Sequence, residues 1–229
     1  MEYNFPIEEA KSIIGSVNED TAFLASDFLV YTQAKKLTNS LNEKDMTLQV
    51  LLIDGLWATQ LFREKGGVQS IIGRINNDID KIQNTISNLS ENDLSKNPDK
   101  VYKAAEEIFP IILESGKRQH YSFTSKFFHW CTCNHFPIVD SRARKSINSF
   151  QRKHKLTHDL VLKDTAAMGM TYLEEYRRWV YFYSDLLNSL SEKDNILLRK
   201  IDIETQRNTN PEFLCEHSIL RILDKVFYG

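Results

Sequence analysis

A lysine and an aspartate lie fourteen positions apart in the segment of this sequence that is richest in reactive side chains. Lys126 falls within the aromatic stretch Phe123 to Trp130, whose spacing predicts a helix, and Asp140 follows a Phe-Pro-Ile-Val run. Lysine is seldom buried unless it is paired or functional, and a desolvated lysine loses its proton more easily and becomes an amine nucleophile. An amine, a carboxylate and the arginines that follow it indicate chemistry on a nucleic acid.

Each of these residues also has a purely structural interpretation. Asp140 precedes a helix-forming string and is expected to cap that helix, a role worth about 1 kcal/mol by itself. Lys126 can lay its stem on the aromatic rings and keep its ammonium in water. Phe123, Phe127 and Trp130 share one helix face, which is typical of a core as well as of a surface that stacks on bases.

Basic residues are concentrated in one part of the chain. The net charge is −2, but residues 115–155 hold nine basic residues against one acid, a net charge of +8 that leaves −10 for the rest. Such asymmetry is the electrostatic footprint of phosphate binding, although a run of charges also forms an ordinary solvated helix face.

The composition is that of an ordinary soluble globular protein. The chain has 229 residues, of which 41% are hydrophobic and 26% charged. Its start is polar and acidic, unlike a secretory signal, and no apolar run approaches the ~20 residues of a membrane span. An odd number of cysteines without an export signal predicts a reduced, cytoplasmic protein that does not enter a membrane.

Helical periodicity runs through nearly the whole sequence, and it predicts a single all-α domain over residues 1–229. Asp20 and Thr21 are candidate caps of the second helix and Asp45 of the third. Gly66-Gly67 is expected to end a helix, and residues 92–100 to form a polar loop. The pattern over 191–210 is weak. The helices are expected near 6–15, 19–38, 46–65, 67–91, 99–114, 122–133, 140–154, 169–190 and 211–227.

Alternating histidines and cysteines suggest a zinc site, at His129, Cys131, Cys133 and His135. On a helix, positions separated by two residues cannot all face one ion, and paired zinc-binding cysteines are usually separated by at least two residues. We therefore expect Cys131 in the core, Cys133 at a helix end, and neither a metal nor another cofactor.

Two motifs resemble those of the helix-hairpin-helix DNA glycosylases, above all the 8-oxoguanine glycosylase branch. They are Thr124-Ser125-Lys126 and Pro137-Ile138-Val139-Asp140, and the detailed match covers about residues 115–150. The resemblance implies a two-lobed all-helical DNA glycosylase fold, with lobes near 1–115 and 116–229. Residues 115–123 contain one glycine where the family has a Gly-rich hairpin, so the helix-hairpin-helix is divergent, and the four-cysteine iron–sulfur loop is missing.

The resemblance implies a bifunctional enzyme that acts as a monomer on a base flipped out of double-stranded DNA. Lys126 would attack the sugar and open an AP lyase route, while Asp140 would stabilise the positive charge that develops. Expected phosphate contacts are Lys117, Arg118, Ser141, Arg142, Arg144 and Lys145. Candidates for the base pocket are Trp57, Gln60, Tyr176, Trp179 and Phe227, each of which can equally be a core residue.

The substrate and two other functions stay open at this point. The excised base can be 8-oxoguanine in repair, or a hypermodified cytosine of the glucosylated hydroxymethyl type in defence against phage. A helical RNase with an Arg-x4-His motif is an alternative, but Arg152 and His158 miss that spacing by one residue. A third possibility is a DNA-binding module without catalysis.

Overall fold

A computed structural model describes residues 5–39, 42–57, 59, 61, 66–113, 120–132, 135–154 and 171–228. Every regular element within these ranges is helical, which confirms the all-α prediction. The helices are α1 (Ile7–Glu19), α2 (Thr21–Asn39), α3 (Glu43–Trp57), α4 (Gly67–Asn77), α5 (Ile79–Ser87), α6 (Asp93–Lys96), α7 (Pro98–Leu113), α8 (Tyr121–Cys131), α9 (Ser141–His154), α10 (Tyr172–Ser189), α11 (Glu192–Thr209) and α12 (Ile219–Tyr228), with a 3₁₀ turn at Pro211–Phe213.

The chain divides into two compact units. Unit 1 consists of Met1–Phe28 and Asp140–Gly229, and unit 2 is the continuous stretch Leu29–Val139. One boundary therefore falls inside α2 and the other directly before Asp140. Unit 1 joins two separate stretches because α1 packs against α11 and α12, which are distant in sequence. The lobes near 1–115 and 116–229 stay a prediction.

Unit 1 is held together by aromatic packing around α12. Phe227 contacts Phe150 of α9 and both Phe182 and Tyr183 of α10, with ring centres 5.4 to 5.9 Å apart. Helix α10 begins with a capping box in which Thr171 and Glu174 satisfy each other's backbone N–H groups, and Ser191 and Asp194 do the same for α11. Both helices therefore begin where the sequence supplies a cap.

Unit 2 is built around α7, which packs against α4, α5, α6 and α8. Its buried side chains include Ile108, Phe109 and Ile112. The Phe109 ring stacks on Phe128 of α8 with their centres 5.1 Å apart. This contact fixes one side of α8, the helix that carries Lys126.

Of the two helix caps predicted at Asp20 and Asp45, the structure confirms the first and contradicts the second. Asp20 caps α2 as predicted, since its Oδ1 accepts hydrogen bonds from the backbone N–H groups of Ala22 and Phe23. The prediction for Asp45 is wrong, because α3 begins earlier and Asn42 is its cap, accepting from the Asp45 N–H at 2.9 Å. The expected helix over 46–65 ends instead at Trp57.

Gly66 marks a beginning rather than the predicted helix end. It adopts the left-handed conformation, with φ at +78°, directly before the first residue of α4. Glycine adopts this conformation without the steric cost that a Cβ would bring. The chain can therefore turn sharply into α4.

Three expectations about element boundaries are corrected. The helix expected over 67–91 is interrupted at Asp78 and forms α4 and α5. The polar loop expected at 92–100 contains α6 and the start of α7, where Pro98 occupies the first turn and its missing N–H costs nothing. The helix expected from residue 211 begins only at Ile219.

Helix α11 falls in the stretch where the sequence pattern was weak. Its buried residues are Leu198, Asp202 and Gln206, so two of the three are polar and the apolar period is absent. Among the described helices, none combines the length and the apolar character needed to cross a membrane.

Candidate active site

Lys126 lies in the middle of α8 and is almost completely buried. Its exposed fraction is 4%, and its Nζ lies 5.5 Å from the centre of the Trp57 ring, within the range of a cation–π contact. Burial to this degree excludes the alternative in which the ammonium lies in water. The Lys126 side chain is therefore buried and lies next to the indole face of Trp57, a residue of the same unit.

The aromatic residues beside Lys126 belong to the core of unit 2. Phe123, Phe127 and Trp130 each have an exposed fraction of at most 1%. Trp57 is half-buried, and its ring lies 6.4 Å from that of Trp130. Of the four, Trp57 alone was expected in a base pocket, and its contact with Lys126 makes it a neighbour of the proposed nucleophile.

One side of α8 binds the chain segment 135–139 through side chains. We call the three residues involved, spaced at i, i+4 and i+7, the polar face of α8: Ser125, His129 and Thr132. His129 Nδ1 donates to the carbonyl oxygen of Phe136 at 2.7 Å, and the Thr132 hydroxyl accepts from the His135 N–H at 3.2 Å. The segment that leads to Asp140 is thus held along α8.

Ser125 makes the last of these contacts. Its Oγ accepts from the Val139 N–H at 3.0 Å, and it lies 3.2 Å from the carbonyl oxygens of both Val139 and Ser122. Both Ser125 and Val139 are buried, so an unpaired N–H here would be costly. The residue before Lys126 therefore anchors the residue before Asp140.

The histidines and cysteines of this region do not form a shared site among the described residues. His129 uses Nδ1 for the Phe136 carbonyl, and the Cys131 thiol is buried, as predicted for a core residue. Cys133 lies outside the described residues. Within the described ranges, no group of three or more His, Cys, Asp or Glu side chains is arranged to hold a metal. That no metal binds stays a prediction.

Asp140 is the N-cap of α9, as predicted. Its Oδ1 accepts hydrogen bonds from the backbone N–H groups of Arg142 at 2.9 Å and Ala143 at 2.8 Å. Two bonds to one oxygen fix the plane and position of the carboxylate. Its second predicted role, in chemistry, remains a proposal.

The basic residues of α9 fall into two groups. Arg144 forms an ion pair with the buried Glu175, while Lys153 and His154 both lie 2.8 Å from Glu9. Arg142, Lys145 and Ser141 are exposed. Of the other predicted phosphate contacts, Lys117 and Arg118 lie outside the described residues.

Three of the predicted pocket residues lie in the core of unit 1. Tyr176, Trp179 and Phe227 each have an exposed fraction of 0%. Burial raises the pKa of the Tyr176 phenol well above its ordinary value, so it is neutral at physiological pH. Gln60 lies outside the described residues. The assignment of these residues to a base pocket stays a prediction.

A cluster of buried charged residues in unit 1 was not anticipated from the sequence. We call it the buried ion cluster, and its members have exposed fractions of at most 3%: Asp27, Asp202, His217, Arg221, Asp224 and Lys225. Arg221 pairs with Asp27 at 2.6 Å and also with Asp224, and Lys225 lies 2.7 Å from Asp202. The members come from α2, α11, α12 and the loop before α12.

His217 joins the two halves of the buried ion cluster. Its Nε2 lies 3.0 Å from Asp27 and its Nδ1 lies 2.8 Å from Asp202. Asn18 of α1 completes the arrangement, binding Asp202 at 2.9 Å and Lys225 at 2.8 Å. Because these groups pair with one another across helices, the cluster links α1, α2, α11 and α12 inside unit 1.

Burial alone would raise the pKa of Asp27, but the charges of Arg221 and His217 outweigh it and hold that pKa far below its usual range. The same balance applies to Asp202, where His217 and Lys225 overcome the effect of burial and lower the pKa. Both carboxylates are therefore ionised in the folded protein. A sequence signal for the cluster is hard to find, because its members lie up to 207 positions from their partners.

No protein-family model, curated protein or solved structure matches this chain.

Proposed function

We propose that this protein is a DNA N-glycosylase in which Lys126 attacks the sugar of a flipped nucleotide and Asp140 stabilises the charge that develops. The observation that carries the proposal is the burial of Lys126 against Trp57. Enclosing a lysine side chain costs free energy unless something compensates, and lysines held away from water are the ones that proteins use as nucleophiles and in Schiff bases.

The position of Asp140 supports the second role. Both capping hydrogen bonds fall on Oδ1, so the carboxylate is held in one orientation at the start of α9. A fixed negative charge needs no reorganisation when positive charge appears on the sugar ring, and this is the setting in which electrostatic stabilisation is most effective.

The chemistry balances without a cofactor. The Nζ of Lys126 forms a bond to C1′ while the bond from C1′ to the base breaks, and its electron pair leaves with the base. The amine then passes a proton to the departing base, and O4′ takes up a proton from water as the C1′–O4′ bond opens to give a protonated Schiff base. Loss of a proton from C2′ and cleavage of the C3′–O3′ bond would then break the strand, which is the AP lyase reaction.

The substrate is a modified or damaged base in double-stranded DNA. Such bases are the cheapest to extrude from a duplex, since weakened pairing or stacking lowers the cost of flipping. Either 8-oxoguanine or a glucosylated hydroxymethylcytosine satisfies this description. A panel of duplexes, each with one modified base, distinguishes them by the appearance of abasic sites.

Borohydride trapping tests the role of Lys126 directly. Wild-type protein mixed with a cleavable duplex and borohydride is expected to give a covalent protein–DNA adduct. Lys126→Gln is expected to abolish the adduct and retain duplex binding, because it removes the amine and leaves the surface unchanged. The matched control is Lys103→Gln, an exposed lysine of α7 in the same unit, which is expected to trap like wild type.

Two results would contradict this assignment. An adduct of normal yield from the Lys126→Gln variant would place the nucleophile elsewhere. Base release by the wild-type protein without any adduct would mean that the protein is a glycosylase whose nucleophile is water and not Lys126. Circular dichroism of both variants establishes that they are folded.

A further inference from the structure

The solvent face of α9 carries a row of cations that no carboxylate of the described residues pairs with. We call it the α9 basic stripe, and it consists of Arg142, Lys145 and Arg152, with Ser149 between the last two. All four side chains are exposed. At about 1.5 Å of rise per residue, the three cations are spread over about 15 Å of the helix axis.

The fold separates these cations from the other basic residues of the same helix. Arg144 is balanced by Glu175, and Lys153 and His154 share Glu9. Within the described part of the chain, no carboxylate pairs with a residue of the stripe. Arg152 donates its Nε–H to the carbonyl oxygen of Asn148 at 3.1 Å, which leaves the four N–H groups of its Nη atoms for another acceptor.

The positions of the cations in the α9 basic stripe are not accounted for by a stabilising effect on the helix itself. Apart from the N-cap carboxylate of Asp140, the helix has no acidic residue at its start, and Arg142 places a positive charge at the end where the helix dipole is already positive. Lys145 and Arg142 lie three positions apart, so they repel each other. An arrangement that is unfavourable for the isolated helix fits a partner that brings regularly spaced negative charges.

We infer that the α9 basic stripe binds the sugar–phosphate backbone of duplex DNA, with Arg152 as a contact that the sequence did not single out. The choice of DNA rests on the proposed function. One DNA strand presents a phosphate about every 3.4 Å of helix axis, so a stripe of about 15 Å allows each cation its own phosphate.

The residues between the cations favour DNA over an anionic membrane. Helices that bind membrane surfaces place large apolar side chains beside their cations, so that these enter the acyl region. The stripe is flanked instead by the exposed Ser141 and Ser149. Serine hydroxyls are regular donors to phosphate oxygens.

The salt dependence of binding to an undamaged duplex tests this inference. We expect each of Arg142→Gln, Lys145→Gln and Arg152→Gln to reduce the slope of log affinity against log salt by about 0.9. Raising the salt from about 50 to about 200 mM should therefore weaken DNA binding by the triple variant about 40-fold less than it weakens binding by the wild type. The measurement is fluorescence anisotropy of a labelled duplex. Lys153→Gln is the matched control, because it removes a neighbouring charge that Glu9 already balances, and its slope should equal that of wild type.

The inference is overturned if the triple variant keeps the wild-type slope, or if Lys153→Gln lowers the slope as much as Arg152→Gln. It is also overturned if the stripe variants lose binding to vesicles of anionic lipid and not to DNA. Because the duplex is undamaged, the assay does not depend on base excision. A protein that binds through the stripe but removes no base would refute the proposed function alone.

Discussion

Ser125 shows how one small side chain can hold a segment that lies fourteen positions further along the chain. Its hydroxyl accepts a hydrogen bond from the backbone N–H of Val139, which is the last residue of unit 2. The backbone at Ser125 and the backbone at Val139 are therefore joined within unit 2.

Replacing Ser125 by alanine is expected to reduce the free energy of unfolding by about 1 to 3 kcal/mol, because the buried Val139 N–H loses its acceptor. The matched control is Ser122→Ala on the same helix. Ser122 is half-buried and its hydroxyl makes no hydrogen bond among the described residues, so we expect a change of at most about 0.5 kcal/mol. Urea unfolding of both variants measures the difference, and equal losses would mean that the Ser125 bond is not important for stability.

At this scale the sequence identified single residues better than their partners. The cap at Asp140 and the core location of Cys131 could be predicted, because a cap and an apolar neighbourhood are local in sequence. The spacing of Ser125, His129 and Thr132 is also visible in the sequence. The backbone groups that they bind lie beyond the end of α8, however, and only the folded segment brings them alongside.

Helix α9 and its N-cap combine a cap, a proposed catalytic group and a proposed DNA contact within residues 140–154. The cap and the chemistry of Asp140 can be separated, because asparagine caps helices as well as aspartate but carries no charge. Asp140→Asn is therefore expected to unfold like wild type and to release base slower by orders of magnitude. Asp140→Ala should also lose about 1 kcal/mol of stability.

The comparison for Asp140 is Asp20, which caps α2 in the same way. Asp20→Ala is expected to lose a similar amount of stability with no effect on base release beyond that loss. Urea unfolding and an abasic-site assay on the same samples measure the two effects. If Asp140→Asn released base at the wild-type rate, the residue would be a cap and nothing more.

Helix α11 shows why the sequence pattern over 191–210 was too weak to predict a helix. The residues that it buries include Asp202 and Gln206, so a search for apolar periodicity cannot find it. The available signal was the Ser191 and Asp194 capping box at its start, which has the sequence pattern of a helix N-terminus. Its polar face forms because the opposing helices supply charged partners.

For the molecule as a whole, the buried ion cluster makes stability depend on pH in a definite direction. The pKa values of Asp27 and Asp202 are lower in the folded protein than in the unfolded chain. Each carboxylate therefore adds stability above its unfolded pKa of about 4, and this contribution is lost as the pH falls through the folded value. We expect urea unfolding to show near-constant stability from pH 7 to about pH 5 and a steady decrease below it.

The Asp202→Asn variant measures the pH-dependent contribution of Asp202 to stability separately from that of the other carboxylates. At neutral pH it should lose up to about 3 to 5 kcal/mol, because the buried Lys225 and His217 lose their shortest carboxylate contacts and keep only those with Asp27, and its decrease at low pH should be smaller than in wild type. Glu204→Gln is the matched control on α11, since Glu204 forms an exposed pair with Lys200 at 3.7 Å and should change little. Parallel pH curves for Asp202→Asn and wild type would contradict the expectation.

The two-segment composition of unit 1 has a consequence for synthesis on the ribosome. Asn18 and Lys225, which share a hydrogen bond, are separated by 207 positions, so at ordinary translation rates about 10 to 40 s pass between their incorporation. Unit 2 is complete during that interval, because its residues are continuous. A nascent chain arrested far enough beyond Val139 for unit 2 to have left the ribosome should thus resist protease within unit 2 while α1 is still cleaved, and α1 becomes resistant only when α12 has emerged.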